Sequence, residues 1–222
     1  MNRPSRWSYS ALSTWQECPA KYSYSYIYKL PWPESPQMMR GSRLHKLAED
    51  YINEPAMPVP YDLKKIGRII DDFRNKGAKA EETWLIDADW LYTEDIGKAK
   101  CKAIIDLHYI DGDVLHVVDY KSGREYPSHR DQLELYSILG LLKYPQAKRA
   151  ESAAVYIDGG YTGMESSIIR PMLPILIQSW REQAQSMEAD QDFIAKPGSA
   201  CRWCPYAKSA GGPCQESAKA GF

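Results

Sequence analysis

The chain has 222 residues, 44% of them hydrophobic and 26% charged, which supports one substantial folded domain and excludes a disordered chain. Its 28 basic and 29 acidic side chains leave a net charge of −1 and no global signal of nucleic-acid binding, so any surface for DNA has to be local. A polar, aromatic N-terminus without a long apolar run predicts neither a membrane span nor a secretory leader, and five cysteines, an odd number, favour metal ligation or free thiols over a disulfide framework.

In chain order, Tyr9 to Glu17 starts with hydroxyls able to cap a short helix, which Pro19 interrupts. The tyrosines at 22, 24, 26 and 28 predict a packed aromatic surface. Residues 31–39, rich in proline, predict a loop, and Gly41 opens a helix with apolar positions at 44, 47, 48 and 51 and His45 at the edge of that stripe. A second proline loop covers 53–61, followed by a helix over roughly 62–80. Trp84, Ile86, Ala88, Trp90 and Tyr92 alternate with polar residues as a half-buried strand does, with Glu81 and Glu82 just before it.

A strand over 99–109 sets Lys100, Lys102 and Asp106 on one face and Ala99, Cys101, Ala103, Ile105 and Leu107 on the other. Cys101 is then a buried apolar residue. The turn signal Asp111-Gly112-Asp113 joins this strand to one ending in Asp119-Tyr120-Lys121. Alternation puts Asp119 and Lys121 on one face and Tyr120 on the other. With Gly112-Asp113 as the loop, Asp106 sits opposite Asp119; with Asp111-Gly112 it is a diagonal neighbour; a three-residue loop puts it on the other face unless a bulge intervenes. Two carboxylates this close repel unless a cation lies between them, and Mg²⁺ or Mn²⁺ takes such oxygen ligands. By itself an Asp-x-Lys pair on a strand is an ordinary exposed ion pair. Here a helix follows, with Ser128 expected as its N-cap, Asp131 three residues on, and Gln132 and Tyr136 one turn apart on one face. Two more strands, 153–158 and 165–170, flank the turn Gly159-Gly160, and a helix covers about 174–187. The order predicts an α/β fold.

The succession Asp106, Asp119-x-Lys121 and Gln132-x-x-x-Tyr136 resembles the PD-(D/E)xK nuclease superfamily, in its RecB-like branch. That branch includes helicase–nuclease subunits, four-cysteine CRISPR-associated exonucleases and small phage exonucleases. One departure is Ala103, where a glycine usually stands three residues before the first Asp; the position carries no ligand. The resemblance implies a mixed central sheet flanked by helices and a DNA substrate in the cytoplasm of a bacterium or phage-infected cell. It implies that Asp106, Asp119, the Tyr120 backbone carbonyl and His45, in Gly41-x-x-x-His45, hold Mg²⁺ or Mn²⁺. Lys121 then acts on the attacking water, and Gln132 and Tyr136 position it or the phosphate. Some relatives carry a further acidic residue in this region, a role open to Glu81 or Glu82, although the residues themselves read as the solvated end of a helix.

The tail, Cys201-x-x-Cys204 with Cys214 ten residues on, is a metal-ligand pattern wrapped in Gly and Pro. A fourth ligand is missing locally. Zinc and iron–sulfur both suit four cysteines, and zinc is the commoner occupant. Cys18-Pro19 resembles the N-terminal motif of the iron–sulfur exonucleases, and this resemblance implies a [4Fe–4S] cluster on Cys18, Cys201, Cys204 and Cys214. The expected organisation is one nuclease domain over 1–222, with a core at 40–190 and residues 1–30 and 195–222 joined at the cluster. No phosphate-binding Gly-x-x-x-x-Gly-Lys-Ser/Thr motif occurs, so the expectation is a stand-alone nuclease or a subunit supplied with DNA ends by a partner, a helicase, recombinase or integrase. The function implied is a single-strand-preferring 5′ to 3′ exonuclease. The alternatives are a CRISPR spacer-processing nuclease and a non-catalytic DNA-binding subunit.

Overall fold

Ser8 caps the first helix, α1 (Tyr9–Glu17), accepting from the Ala11 N–H at 3.3 Å, and the extended backbone of Cys18 ends it. Pro19 opens α2 (Pro19–Tyr22) at the position where a missing N–H costs nothing, and a π-turn, Ser23–Ile27, follows. The computed structural model describes residues 3–220. The chain divides into two compact units, one from both chain ends, up to Glu34 and from Ser179 onward, the other from Ser35–Gln178.

In the central unit, α3 (Pro36–Asn53) starts earlier than the expected Gly41. Ser35 caps it, its hydroxyl accepting from the Met38 N–H at 3.2 Å, so Pro36 begins a helix and does not extend the loop. A 3₁₀ turn at Tyr61–Ile66 leads into α4 (Gly67–Asn75), and Gly77, at φ +68°, turns the chain out of it. The helix expected to run to residue 80 therefore ends early, and strand β1 is Lys79–Ile86, displaced from the alternating 84–92 stretch. Ala88 and Trp90 fall instead in a turn held by the Asp87 carboxylate, which accepts the Asp89 and Leu91 N–H groups at 2.9 Å each.

Strands β2 (Cys101–Asp111) and β3 (Val114–Lys121) pair with Asp111 opposite Val114, which makes Gly112-Asp113 the two-residue loop, with Gly112 at φ +59°. Helix α5 (Ser128–Lys143) has Pro127 at its N-cap and Ser128 as its first helical residue, one position off the expected cap. Strands β4 (Arg149–Tyr156) and β5 (Tyr161–Ile169) and helix α6 (Leu173–Ala189) complete the order.

The sheet has five strands in sequence order. Only β3 and β4 are parallel, joined by α5 as the crossover helix a parallel pair requires. One face buries Leu44, Ala48 and Tyr51 of α3 and Ile70 of α4 against Leu107, Tyr109, Val118, Tyr120 and Val155. The other face carries α5, so close that a Cβ on Gly140 would lie 2.4 Å from Leu115 and 2.7 Å from Trp84. This is a mixed α/β fold, with helices on both faces of the sheet. No helix among the described residues is long and apolar enough to cross a membrane.

In the unit of the chain ends, Trp15 Nε1 donates to Asp190 Oδ2 at 2.7 Å, and the Gln16 and Gln183 side-chain amides pair at 2.6 Å. The tyrosine run packs as expected: Tyr22 is buried against Tyr26 and Phe193, Tyr24 meets Tyr206, and Tyr28 stays exposed.

Candidate active site

The ladder between β2 and β3 ends at Leu107 opposite Val118, so the next residues, Asp106 and Asp119, meet where the strands part. With no strand partner there, the Tyr120 N–H donates to Asp106 Oδ2 at 2.7 Å. Asp119 is buried, and Tyr120 turns its ring the other way, into the α3 and α4 core. Lys121 Nζ lies 2.6 Å from the buried Asp119 Oδ2 as its ion-pair partner. Burial and the neighbouring Asp106 push the Asp119 carboxyl up to about 6, against the pull of Lys121 and His45.

His45 comes from α3, placed by the apolar stripe of Leu44, Ala48 and Tyr51. Its Nδ1 stands 3.3 Å from Asp106 Oδ2. Burial alone would lower the imidazole, but Asp106, with Asp119 behind it, holds it above its ordinary value. From α5, Gln132 Oε1 accepts from Lys121 Nζ at 2.8 Å and Gln132 Nε2 donates to the Tyr136 hydroxyl at 2.8 Å. The line Lys121–Gln132–Tyr136 thus fixes the ammonium beside the two carboxylates.

The structure also brings in Glu81. Ala80 pairs with Leu107 and Glu82 with Ile105, so Glu81 lies across β1 and β2 from Asp106. One donor atom each of His45, Glu81 and Asp106 lies within 4.8 Å of the others. Burial and Asp106 raise the Glu81 carboxyl. Its backbone is left-handed, at φ +53°, and this breaks the alternation of β1. Ala80 packs on the α3 and α4 core, whereas Glu82, two residues on, turns to α5. There its carboxylate accepts from Trp84 Nε1 at 2.6 Å and the Tyr144 hydroxyl at 3.0 Å, beside Lys143 and His108. Strand β2 switches too. Ala103 pairs with Trp84, which packs against Gly140 of α5, while Leu107 and Tyr109 join the opposite core, so the buried residues expected on one face over 99–109 divide between the two. Glu81 was legible only as an acidic pair; its register against Asp106 was the signal that separates it from Glu82.

These donors fit a hard divalent cation. They are oxygens and one imidazole, two carboxylates sit against each other, and the buried Asp119 Oδ2 has only the Lys121 ammonium beside it to offset its charge. An open cleft of about 570 Å³, lined by Met38, Ser42, His45, Lys46 and Glu81, lies in front.

The unit of the chain ends holds a second group. Cys18, Cys201, Cys204 and Cys214 line one cavity of about 30 Å³ with Lys21 and Tyr24. The Lys196 N–H points at Cys18 Sγ at 3.4 Å and the Gly198 N–H at Cys201 Sγ at 3.5 Å. Cys101 stands apart, fully buried on β2, its thiol pushed up by burial.

A search of curated protein sequences finds no significant match. Among solved structures, SSO0001 is similar at 15% identity and TM-score 0.49, over 93% of this chain and 86% of its own. A candidate exonuclease from Eubacterium rectale is similar at 10% identity and TM-score 0.52, over 98% of this chain and 94% of its own, a likeness of fold. The family model of the PD-(D/E)XK nuclease superfamily matches residues 6–95 and 78–209. With Asp106, Asp119 and Lys121 gathered at the parting of two strands within those residues, the chain belongs to the PD-(D/E)XK nuclease superfamily.

Proposed function

We propose that this nuclease is a divalent-metal-dependent DNA exonuclease that prefers single strands, degrades them 5′ to 3′, and carries a [4Fe–4S] cluster. The observation that carries the catalytic part is the meeting of His45, Glu81 and Asp106 donor atoms within 4.8 Å, next to the buried Asp119 with Lys121 held beside it. His45, Asp106, Asp119 and the Tyr120 carbonyl would hold Mg²⁺ or Mn²⁺, with Glu81 at the open side; the ion polarises the scissile phosphate and lowers the pKa of water. The chain's own residues do the rest. Lys121 orients the attacking water and, as a cation, stabilises the charge that builds on the phosphate. Gln132 and Tyr136 keep the ammonium in place. Water oxygen bonds to phosphorus, the bond to the 3′-oxygen breaks, and that oxygen takes a proton, leaving a 5′-phosphate and a 3′-hydroxyl. A bound scaffold with a decayed site would not need this whole set in contact.

The end-dependent reading is supported by the sequence resemblance and by the description of the Eubacterium rectale protein as a candidate exonuclease. The cluster is supported by four thiols lining one cavity, a Cys₄ set of the kind that holds an iron–sulfur group. Backbone N–H groups aimed at two of the sulfurs suit thiolate ligands.

The test compares linear single-stranded DNA with a closed single-stranded circle, at equal nucleotide concentration, low salt and added Mg²⁺ or Mn²⁺. Linear DNA should be reduced to short products while the circle survives. Equal loss of both would end the exonuclease reading, and cleavage of linear DNA by Asp119→Ala at the wild-type rate would end the site assignment.

A further inference from the structure

Beside Lys121 lies an aromatic surface that the reaction does not use. Tyr156 pairs in register with Lys121 across the parallel strands β3 and β4 and is fully buried. Tyr161 stacks on it, centroids 5.0 Å apart and planes at 20°, and is 42% exposed. His129, one turn before Gln132 on the same side of α5, meets the Tyr156 hydroxyl through Nδ1 at 2.9 Å. Tyr126, 50% exposed, stands edge-on to His129 at 5.5 Å. Arg124 lies 6.0 Å above the Tyr126 ring.

These rings are not loose surface side chains. A Cβ on Gly159 would lie 2.3 Å from the Tyr161 ring, and one on Gly163 would lie 3.3 Å from Tyr161 and 2.6 Å from Glu125. The ring is thus seated between two glycines, on a buried ring, beside the Glu125 carboxylate. Glycine inside a strand marks a place where something must approach closely, and here that is the seated ring. A fixed ring loses little freedom on binding, so its exposed face is ready for a flat partner. The Lys121 charge is also felt at His129, whose imidazole is lowered by burial and then by that lysine.

We propose that Tyr126 and Tyr161, backed by His129 and Tyr156, form a stacking platform for an unpaired base of the DNA strand being cleaved. The inference rests on the nuclease site described above, because it is the phosphate at Lys121 that brings an adjoining nucleotide to this surface. A base in a duplex has its faces covered by its neighbours, whereas an unpaired base offers its π-face to tyrosine whatever its identity. Arg124 supplies a cation for the adjoining phosphate. The platform gives a physical source for single-strand preference that needs no reading of sequence.

The test is a binding measurement, kept apart from cleavage. Lys121→Ala protein, in buffer without a divalent ion, is titrated against fluorescently labelled single-stranded oligonucleotides carrying one abasic position, moved stepwise from the end. One position should weaken binding roughly 5- to 150-fold, the range one stacked base is worth. Adding Tyr126→Ala and Tyr161→Ala should weaken binding of the intact strand to the same level and erase the effect of that abasic position. Tyr126→Phe with Tyr161→Phe, which keeps both ring faces, should bind as the parent does. A flat abasic profile, or an unchanged affinity after both alanine substitutions, overturns the platform and leaves the nuclease site standing. If unsubstituted protein cleaves no DNA with Mg²⁺ or Mn²⁺, the fault lies with the proposed function instead.

Discussion

At the scale of single residues, the site trades stability for chemistry. Asp119 is buried against Asp106 with its carboxyl pushed up to about 6. A raised carboxyl binds its proton more tightly folded than unfolded, so the metal-free protein loses stability as pH rises from near 4 through about 6. Asp119→Asn keeps the shape and removes the charge. In chelator at pH 8 it should unfold at a higher temperature than the parent, by on the order of 1–3 kcal/mol in stability, with the gap closing as the pH falls toward 4. A melting temperature that stays level or drops at pH 8 would refute the electrostatic strain. Glu81 stands at the open rim, so Glu81→Ala should leave cleavage possible but raise the Mn²⁺ needed for half-maximal rate, on the order of tenfold. Asp106→Ala, which removes the carboxylate shared by His45 and the Tyr120 N–H, should abolish cleavage at any Mn²⁺ concentration. Equal metal titrations for Glu81→Ala and the parent would remove Glu81 from the centre.

At the scale of elements, α5 joins sheet and site, and its fit to the sheet is checkable at Gly140. Alanine is the better helix former by about 1 kcal/mol in an open helix. Here its methyl would meet Leu115 at 2.4 Å and Trp84 at 2.7 Å, both buried. Gly140→Ala should therefore destabilise, by about 1–3 kcal/mol, as overpacking does, and urea denaturation showing a gain would mean that α5 sits further from the sheet. How far these elements were legible follows the strength of local signals. The β2–β3 hairpin was readable because Asp111-Gly112-Asp113 is a strong turn signal between two apolar runs, but its loop length was left open, and only the pairing of Asp111 with Val114 selects Gly112-Asp113 and sets Asp106 opposite Asp119. The Gln132 to Tyr136 spacing was readable because one helical turn admits one geometry. β1 was misplaced because its identity comes from pairing with β2, a long-range contact, while the Trp84 to Tyr92 alternation belongs partly to a turn held by Asp87. The left-handed Glu81 was invisible for the same reason: nothing in an acidic pair announces which carboxylate the strand will turn toward the site.

At the scale of the whole molecule, the sequence ends meet in one unit. Cys18 and Cys201 to Cys214 are separated by nearly the full chain and still line a common cavity. A group bound there closes a very long loop, and the entropy of closing it grows only slowly with length. Such a staple would act chiefly on the unfolded chain, which it would keep from separating its ends. Cys18→Ala and Cys204→Ala should then be equally damaging, since the bound group needs all four thiols and its loss frees both ends, and the damage should appear as lost solubility and a lowered melting temperature before any specific loss of rate. Protein purified without oxygen should be brown, absorb broadly in the visible, and carry about four irons per chain, the content of a [4Fe–4S] cluster. Stoichiometric zinc without iron would convert the staple to a zinc site while keeping the loop argument. A Cys18→Ala protein as stable and as metal-loaded as the parent would defeat the joining of the ends, because the three C-terminal cysteines would then hold their ion without help from the N-terminus.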